Sequence, residues 1–145
     1  MIIFRQIYRA YPNKATQTEL NQNNGNARFV WNYFLNLIIE KYNLEKKFIF
    51  YNDLSKLLTE LKKQPEFSWL KLSESTTLQQ KLRDLDKAVK QSTSKKYTNK
   101  KGFPKFKSRK TDESGIRIAK GFKILDENHI KLPKISQPIK VKLHR

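Results

Sequence analysis

Cysteine is absent from the 145-residue sequence, and its absence excludes two kinds of site. Neither a disulfide framework nor a cysteine-ligated zinc site can be built from these residues. Histidine is scarce as well, because the chain has only His129 and His144, and each stands alone in the sequence. We therefore expect neither a metal nor another cofactor in this chain.

Long apolar runs are also missing. The longest stretches, such as residues 37–39, fall far short of the roughly 20 apolar residues that a membrane-spanning helix needs. The first residues alternate and include a charge at Arg5, so they do not resemble a signal peptide. We expect a cytoplasmic protein with no membrane partner.

Acidic residues are few. The chain has 31 Lys and Arg against 13 Asp and Glu, which gives a formal net charge of +18. Such a charge repels itself unless an anion neutralises it; nucleic acid is the commonest such anion, and a membrane surface is the alternative. Residues 1–90 hold 15 basic and 9 acidic side chains, whereas residues 91–145 hold 16 and 4. This shift in composition predicts a boundary near residue 90.

Apolar residues at helical spacing predict four helices that bury one another's apolar stripes in a small bundle. A capping box from Thr16 to Glu19 opens a short first helix, which Gly25 ends. The second helix covers about residues 27–45, and its aromatic cluster is expected to be core. The third follows Asn52 as N-cap and stops near residue 63. The fourth starts at Ser73 or Ser75, and its stripe is Leu78, Leu82, Leu85 and Val89.

Alternating residues predict strands at both ends of the chain. Residues 2–11 form the first, and the segments 116–118, 122–125, 129–132 and 139–143 form the others, each with apolar residues on one face and lysines on the opposite face. The predicted fold is α+β. The first strand, in residues 1–12, joins the strands of residues 93–145 in a barrel-like sheet, and the helices of residues 13–92 are inserted between them.

A basic segment, residues 95–110, contains eight cations and no acid. Phe103 and Phe106 alternate with the charges, and rings among cations are typical of surfaces that bind single-stranded nucleic acid. We predict stacking by the two rings; a solvated linker is the alternative. Backbone phosphates are predicted to contact Lys95, Lys96, Lys100, Lys101, Lys105, Lys107, Arg109 and Lys110.

The carboxylates do not form a catalytic pattern. Metal-dependent cleavage of nucleic acid needs two or three carboxylates that converge on Mg²⁺. Asp84 and Asp86 precede lysines at helical spacing and are interpreted as surface ion pairs, while Asp126 and Glu127 suit a turn. No Gly-rich phosphate loop or nucleophile–base pair is visible. We predict no catalytic residue and no small-molecule substrate.

Six motifs in order resemble the TnpB/OrfB family of insertion sequences. The residues RFVWNYFL at 28–35 resemble the RFVYNWFL-type helix of the family, and YNDLSKLLTEL at 51–61 resembles the next helix. The family order continues with Trp69-Leu70, LQQKLRDLDKA at 78–88, GFPKFK at 102–107 and IKLPKI at 130–135. Each motif alone is unspecific, but together they cover essentially the whole chain.

The resemblance implies an RNA-guided DNA endonuclease related to the type V CRISPR effectors. The N-terminal part of such proteins is a wedge-like barrel with a helical recognition insertion, which holds guide RNA and double-stranded target DNA and reads a short adjacent DNA motif. Position by position, the motif-facing residues are Tyr51, Ser55 and Gln79.

The resemblance also implies what this chain does not contain. The family's RuvC-like nuclease, which uses Mg²⁺, and its zinc ribbon follow the point where this chain ends. We therefore expect a truncated, catalytically inactive chain, with a complementing C-terminal nuclease fragment as a further partner. Two alternatives stay open, namely a stand-alone basic RNA-binding structural protein and a small nuclease that is active as it stands.

The lack of converging carboxylates predicts that the purified chain does not cleave labelled single- or double-stranded DNA in Mg²⁺ or Mn²⁺. Electrophoresis of the labelled DNA measures this. Cleavage that depends on metal and is abolished by replacing one of the chain's own acids would contradict the prediction, because a contaminating nuclease would not respond to that replacement.

Overall fold

A computed structural model of the protein describes residues 8–73, 75–93, 102–108 and 122–143. Its fold is α+β, as predicted. The elements in chain order are strand β1 (Tyr8–Tyr11), helices α1 (Lys14–Glu45) and α2 (Tyr51–Lys63), a 3-10 helix (Pro65–Leu72), helix α3 (Ser75–Thr93), and strands β2 (Lys123–Asp126), β3 (His129–Lys131) and β4 (Ile139–Leu143).

The four strands form one antiparallel sheet in the order β1-β4-β3-β2. The first strand therefore pairs with the last, with Ala10 opposite Val141. The described strands form an open sheet rather than the predicted barrel, because β1 and β2 lie at opposite edges and strands of three to five residues are too few and short to close. The predicted strand at 116–118 and residues 2–7 lie outside the described residues.

Helix α1 is one continuous helix, so the predicted break at Gly25 was wrong. A glycine inside a helix costs only about 1 kcal/mol relative to alanine, which packing along a helix of 32 residues overcomes. The predicted N-cap was also wrong. Asn13 caps the helix, and its side-chain oxygen accepts the Thr16 N–H at 2.9 Å.

Glu19 does not complete the predicted capping box but instead joins α1 to the loop before β4. Its carboxylate accepts the Ser136 hydroxyl at 2.6 Å and the Ser136 N–H at 2.9 Å. These two hydrogen bonds, the hydroxyl first, lower the pKa of Glu19 below its ordinary value. The contact therefore persists at neutral pH and weakens only as the pH falls through this lowered pKa.

Helix α2 begins at Tyr51, one residue before the predicted cap Asn52. Its N-cap, Phe50, has no capping side chain of its own, and the Tyr51 N–H donates instead to Asp86 on α3 at 3.1 Å. A carboxylate at this position is favourable because the helix dipole is positive there. The 3-10 helix that follows was not predicted. The predicted bundle therefore consists of three α-helices and this 3-10 helix.

Two hydrophobic cores lie along α1. The helical core unites apolar residues of α1, α2, the 3-10 helix and α3, and it includes the fully buried Phe34 and the four residues of the predicted α3 stripe. The smaller core lies under the sheet, where Leu20 of α1 packs against Ile135, Ile139 and Val141. At the junction, the buried Asn26 donates to Ser73 at 2.7 Å. One helix thus contributes to both cores.

The predicted alternation fails in β2. All four of its residues are exposed, including Ile124 at 63% and Leu125 at 52%. The physical reason is the position of the strand, because β2 is an edge strand of the described sheet, its register shifts between Ile124 and Asp126, and none of its residues belongs to the smaller core. Apolar residues there are not covered by the rest of the described chain.

Among the described residues, no helix is both long enough and apolar enough to cross a membrane.

The continuity of α1 predicts opposite effects of two changes at Gly25. Replacement by alanine should raise the free energy of unfolding by about 0.5–1 kcal/mol, because alanine has the higher helix propensity. The added Cβ has space, since its nearest neighbour is the Arg28 guanidinium at 3.7 Å. Gly25→Pro should lower the free energy of unfolding by about 3 kcal/mol or more, because proline disrupts the helix interior. Thermal and urea unfolding followed by circular dichroism measure both, and a proline variant as stable as the native chain would contradict a continuous helix.

Candidate nucleic-acid interface

Strand β4 separates apolar and cationic side chains as predicted. Ile139 and Val141 are buried, whereas Lys140 and Lys142 between and after them are exposed. Lys140 lies opposite Tyr11 on β1 and His129 on β3. The sheet therefore presents lysine ammonium groups and an exposed tyrosine ring on the face away from its core, which is a surface that suits phosphates and bases.

His129, the first residue of β3 and the only histidine among the described residues, contacts the turn between β2 and β3. The Asp126 carboxylate accepts the Asn128 N–H at 2.7 Å and lies 3.0 Å from His129 Nδ1. These contacts, the backbone bond first, lower the pKa of Asp126. The carboxylate thus serves the turn, in agreement with the turn chemistry that the sequence indicated.

The central part of the basic segment, residues 102–108, lies against α1. The Trp31 indole N–H donates to the Lys105 carbonyl at 2.9 Å. The Asn32 amide forms two bonds with Lys107, donating to its carbonyl and accepting its N–H, both at 2.8 Å. A plain solvated linker would not have these contacts. Lys95, Lys96, Lys100, Lys101, Arg109 and Lys110 lie outside the described residues.

The side chains of residues 102–108 are divided between α1 and solvent. The Lys107 ammonium lies 4.4 Å from the centroid of the Trp31 ring, a cation–π contact, and Phe103 packs near Phe48 at a centroid distance of 6.4 Å. Lys105 and Phe106 face solvent, Phe106 with 54% of its surface exposed. Phe106 is thus free to stack, whereas Phe103 is partly engaged. The phosphate and stacking assignments stay predictions.

The predicted motif-facing residues lie on two packed helices, and all three are partly buried. Tyr51 and Ser55 are one turn apart on α2, and Gln79 is on α3. Arg83, one turn after Gln79, brings the helices together, because its guanidinium carbon lies 4.2 Å from the centroid of the Tyr51 ring. Their role in reading DNA stays a prediction. The spacing of Arg83 from Gln79 places both residues on one helix face.

A cavity of about 370 Å³ adjoins this pair and is lined by Phe50, Tyr51, Asn52, Arg83, Asp86 and Lys90. Asp86 is not merely a surface ion pair as predicted. Besides accepting the Tyr51 N–H, it pairs with Lys90 at 3.0 Å, and its side chain is only 12% exposed. The carboxylate holds the start of α2, and it therefore helps to keep the Tyr51 ring in contact with the Arg83 guanidinium. Sequence spacing indicated the Lys90 pair but not the contact across to α2.

No group of three or more Asp, Glu or His side chains that could hold a metal ion occurs in the described ranges. Glu19 and Asp126 have structural partners, namely Ser136 and the Asn128 N–H of the β2–β3 turn.

Comparison with known proteins identifies a domain family and two proteins whose sequences are similar to this chain. Residues 1–47, which include all of β1 and α1, match the helix-turn-helix domain of OrfB proteins of the IS605 type. The chain is 34% identical over 125 residues to a protein of Escherichia coli (strain K12) named "Putative RNA-guided DNA endonuclease InsQ". It is 28% identical over 138 residues to a "Putative RNA-guided DNA endonuclease" of Streptomyces pristinaespiralis.

These matches span most of this chain but a minor share of each relative. They cover 86% and 95% of the chain, and 30% and 33% of the Escherichia coli and Streptomyces proteins respectively. The chain thus spans about a third of the length of the curated relatives that it matches. The helix-turn-helix match at its start and the two alignments over most of its length therefore confirm the predicted resemblance of this chain to the N-terminal region of TnpB/OrfB proteins.

Proposed function

We propose that this chain binds guide RNA and double-stranded target DNA as the nucleic-acid-binding portion of a TnpB-type RNA-guided endonuclease. The observation that carries the proposal is the basic segment held on α1, with Lys105 and Phe106 presented to solvent. The net charge of +18 and the names of the two relatives support it. Cleavage is proposed to require residues other than those of this chain.

Electrostatic capture is the main source of affinity in this proposal. Each phosphate that a lysine or arginine neutralises releases condensed counterions, so binding weakens as salt rises. The exposed Lys140 and Lys142 of the sheet add to the charge of the basic segment. This attraction is independent of base sequence and suits the backbones of both RNA and DNA.

Limited base reading is proposed for the surface around Tyr51, Ser55 and Gln79. A glutamine can form a two-point contact with adenine in the major groove, and such a contact discriminates against the wrong base by about 1–3 kcal/mol. Arg83 lies on the same face as Gln79 and is itself exposed, so it is placed to contact phosphate or guanine.

The capture mechanism predicts that Lys→Gln changes in the basic segment alter the salt dependence of binding. Changing Lys100, Lys101, Lys105 and Lys107 together should flatten the slope of log K against log salt by roughly three units and weaken all sequences alike. Phe106→Ala should weaken binding with little change in slope, because stacking releases no counterions. Fluorescence anisotropy with labelled RNA and DNA at several salt concentrations measures the slope, and a thermal melt accompanies each variant.

A matched control removes four exposed helical lysines, which changes the net charge equally. These are Lys14, Lys41, Lys63 and Lys87. The proposal expects a much smaller change in slope for this control. Equal slopes for the two folded variants would make the effect one of total charge and would contradict a specific role of the basic segment.

Base reading predicts that Gln79→Ala lowers the discrimination between DNA duplexes that differ in the adjacent motif. The expected loss is about 1–3 kcal/mol in the difference between the preferred and the other sequences, with an unchanged salt slope, because no charge is removed. Selection from a randomised duplex library, read by sequencing, measures the preference. Gln17→Ala, an exposed glutamine on α1, is the control. If the native chain shows no preference among duplexes, the motif-reading assignment is wrong while backbone capture stands.

A further inference from the structure

Asn32 contacts the basic segment in the manner of a strand partner. Its side-chain amide donates to the Lys107 carbonyl and accepts the Lys107 N–H, each at 2.8 Å. A neighbouring strand residue would satisfy the same two backbone groups in an antiparallel sheet. The adjacent Trp31 satisfies the Lys105 carbonyl at 2.9 Å. Two consecutive helical side chains thus hold a short extended segment by its backbone.

The two anchoring side chains are themselves fixed. Trp31 is only 7% exposed and belongs to the helical core, and α1 continues for more than a turn on either side of Asn32. Lys107 covers the Trp31 ring at 4.4 Å, and Phe103 packs toward Phe48, which stacks on Tyr42 at 4.7 Å. The segment is held at several points within seven residues, so its conformation is set by α1.

Because the anchoring contacts use backbone atoms, they leave particular side chains available. Lys105 and Phe106 face solvent, although the carbonyl of Lys105 is bound to Trp31. A segment that is already ordered loses less conformational entropy when it binds a ligand than a flexible one does. The contacts thus present a cation and a ring in a fixed arrangement before any nucleic acid arrives.

We infer that Trp31 and Asn32 are positioning residues, which hold residues 102–108 in the conformation that binds nucleic acid and so set the affinity without contacting phosphate or base. This inference rests on the proposed function. It assigns binding energy to two uncharged side chains inside the helical part of the chain, whereas the cations that they position are in the basic segment.

Thermodynamic linkage gives the inference a distinctive signature. If docking of residues 102–108 on α1 raises the affinity for nucleic acid by some factor, then nucleic acid must stabilise the docked segment by the same factor. A contact that serves folding alone would not respond to nucleic acid in this way. Protection of the Lys107 amide, which Asn32 binds, therefore reports the coupling directly.

The experiment compares Asn32→Ala with Asn36→Ala in the full chain. Asn36 is one turn further along α1 and exposed, and its amide donates to Glu40 at 3.0 Å, so it is a matched control. Hydrogen exchange of the Lys107 amide measures docking. Anisotropy with a labelled single-stranded RNA and a labelled DNA duplex, at several salt concentrations, measures affinity and salt slope. Circular dichroism establishes that each variant is folded.

For Asn32→Ala we expect faster exchange at Lys107 and an affinity about 5- to 50-fold lower, from the loss of two hydrogen bonds. The salt slope should stay unchanged because no charge is removed. In the native chain and in Trp31→Phe, which both keep the Asn32 acceptor, saturating RNA should slow exchange of the Lys107 amide. Asn36→Ala should match the native chain in all three measurements. If Asn32→Ala does not fold, Trp31→Phe, which keeps a ring but loses the N–H donor to Lys105, gives the same test.

Three results would overturn the inference and are distinguishable. Native affinity in folded Asn32→Ala would show that anchoring by Asn32 does not set the affinity, while the proposed function stands. Absence of RNA and DNA binding by the native chain itself would remove the proposed function and the inference together. A native chain that binds RNA but whose Lys107 amide exchanges no more slowly with saturating RNA would also contradict the positioning role, because linkage requires both effects.

Discussion

The packing of α1 into two cores is the constraint on which the rest of the structure depends. Its first half carries Leu20 to the sheet, and its second half carries Trp31 and Phe34 to the other helices. Polar contacts reinforce both ends of this arrangement, through Glu19 with Ser136 and through Asn26 with Ser73. The sheet, the helical core and the docked part of the basic segment are therefore all positioned against one rigid element. A break in α1 would separate the cationic face of the sheet from the surface that Lys105 and Phe106 form.

Hydrophobic periodicity predicted the parts of the fold in which burial decides the structure. The stripe of α3 and the alternation of β4 follow from their core contacts, so the apolar pattern alone located them. Signals of local propensity were less reliable. Gly25 indicated a break, yet the cost of glycine is small beside the packing of α1 on both of its sides. Glu19 indicated a capping box, yet its partner Ser136 is 117 residues away, and no local pattern contains that information.

In the candidate interface, too, the composition of the sequence predicted some features, whereas others are visible only in the fold. The excess of cations in the basic segment was visible in the sequence, and so were its two phenylalanines. The contacts of Trp31 and Asn32 were not, because an amide that binds backbone atoms places no requirement on the residue types of its partner. The contact of Arg83 with Tyr51 depends on the packing of α2 against α3, and Asp86 also joins these two helices through the Tyr51 N–H. Such contacts follow from tertiary packing, so no residue spacing in the sequence predicts them.

Strand β2 gives the protein a solution property that is separate from recognition. An edge strand with exposed Ile124 and Leu125 is a template on which another strand can pair, and self-association is the usual outcome. Mutual repulsion between copies that each carry a charge of +18 opposes this association. The range of that repulsion shrinks from about 10 Å in 0.1 M salt to about 3 Å in 1 M salt. Self-association should therefore increase as the salt concentration rises, and light scattering measures it. A polyanion that covers only part of the cationic surface would also neutralise charge. It would thus weaken the repulsion that keeps the β2 strands of two copies apart.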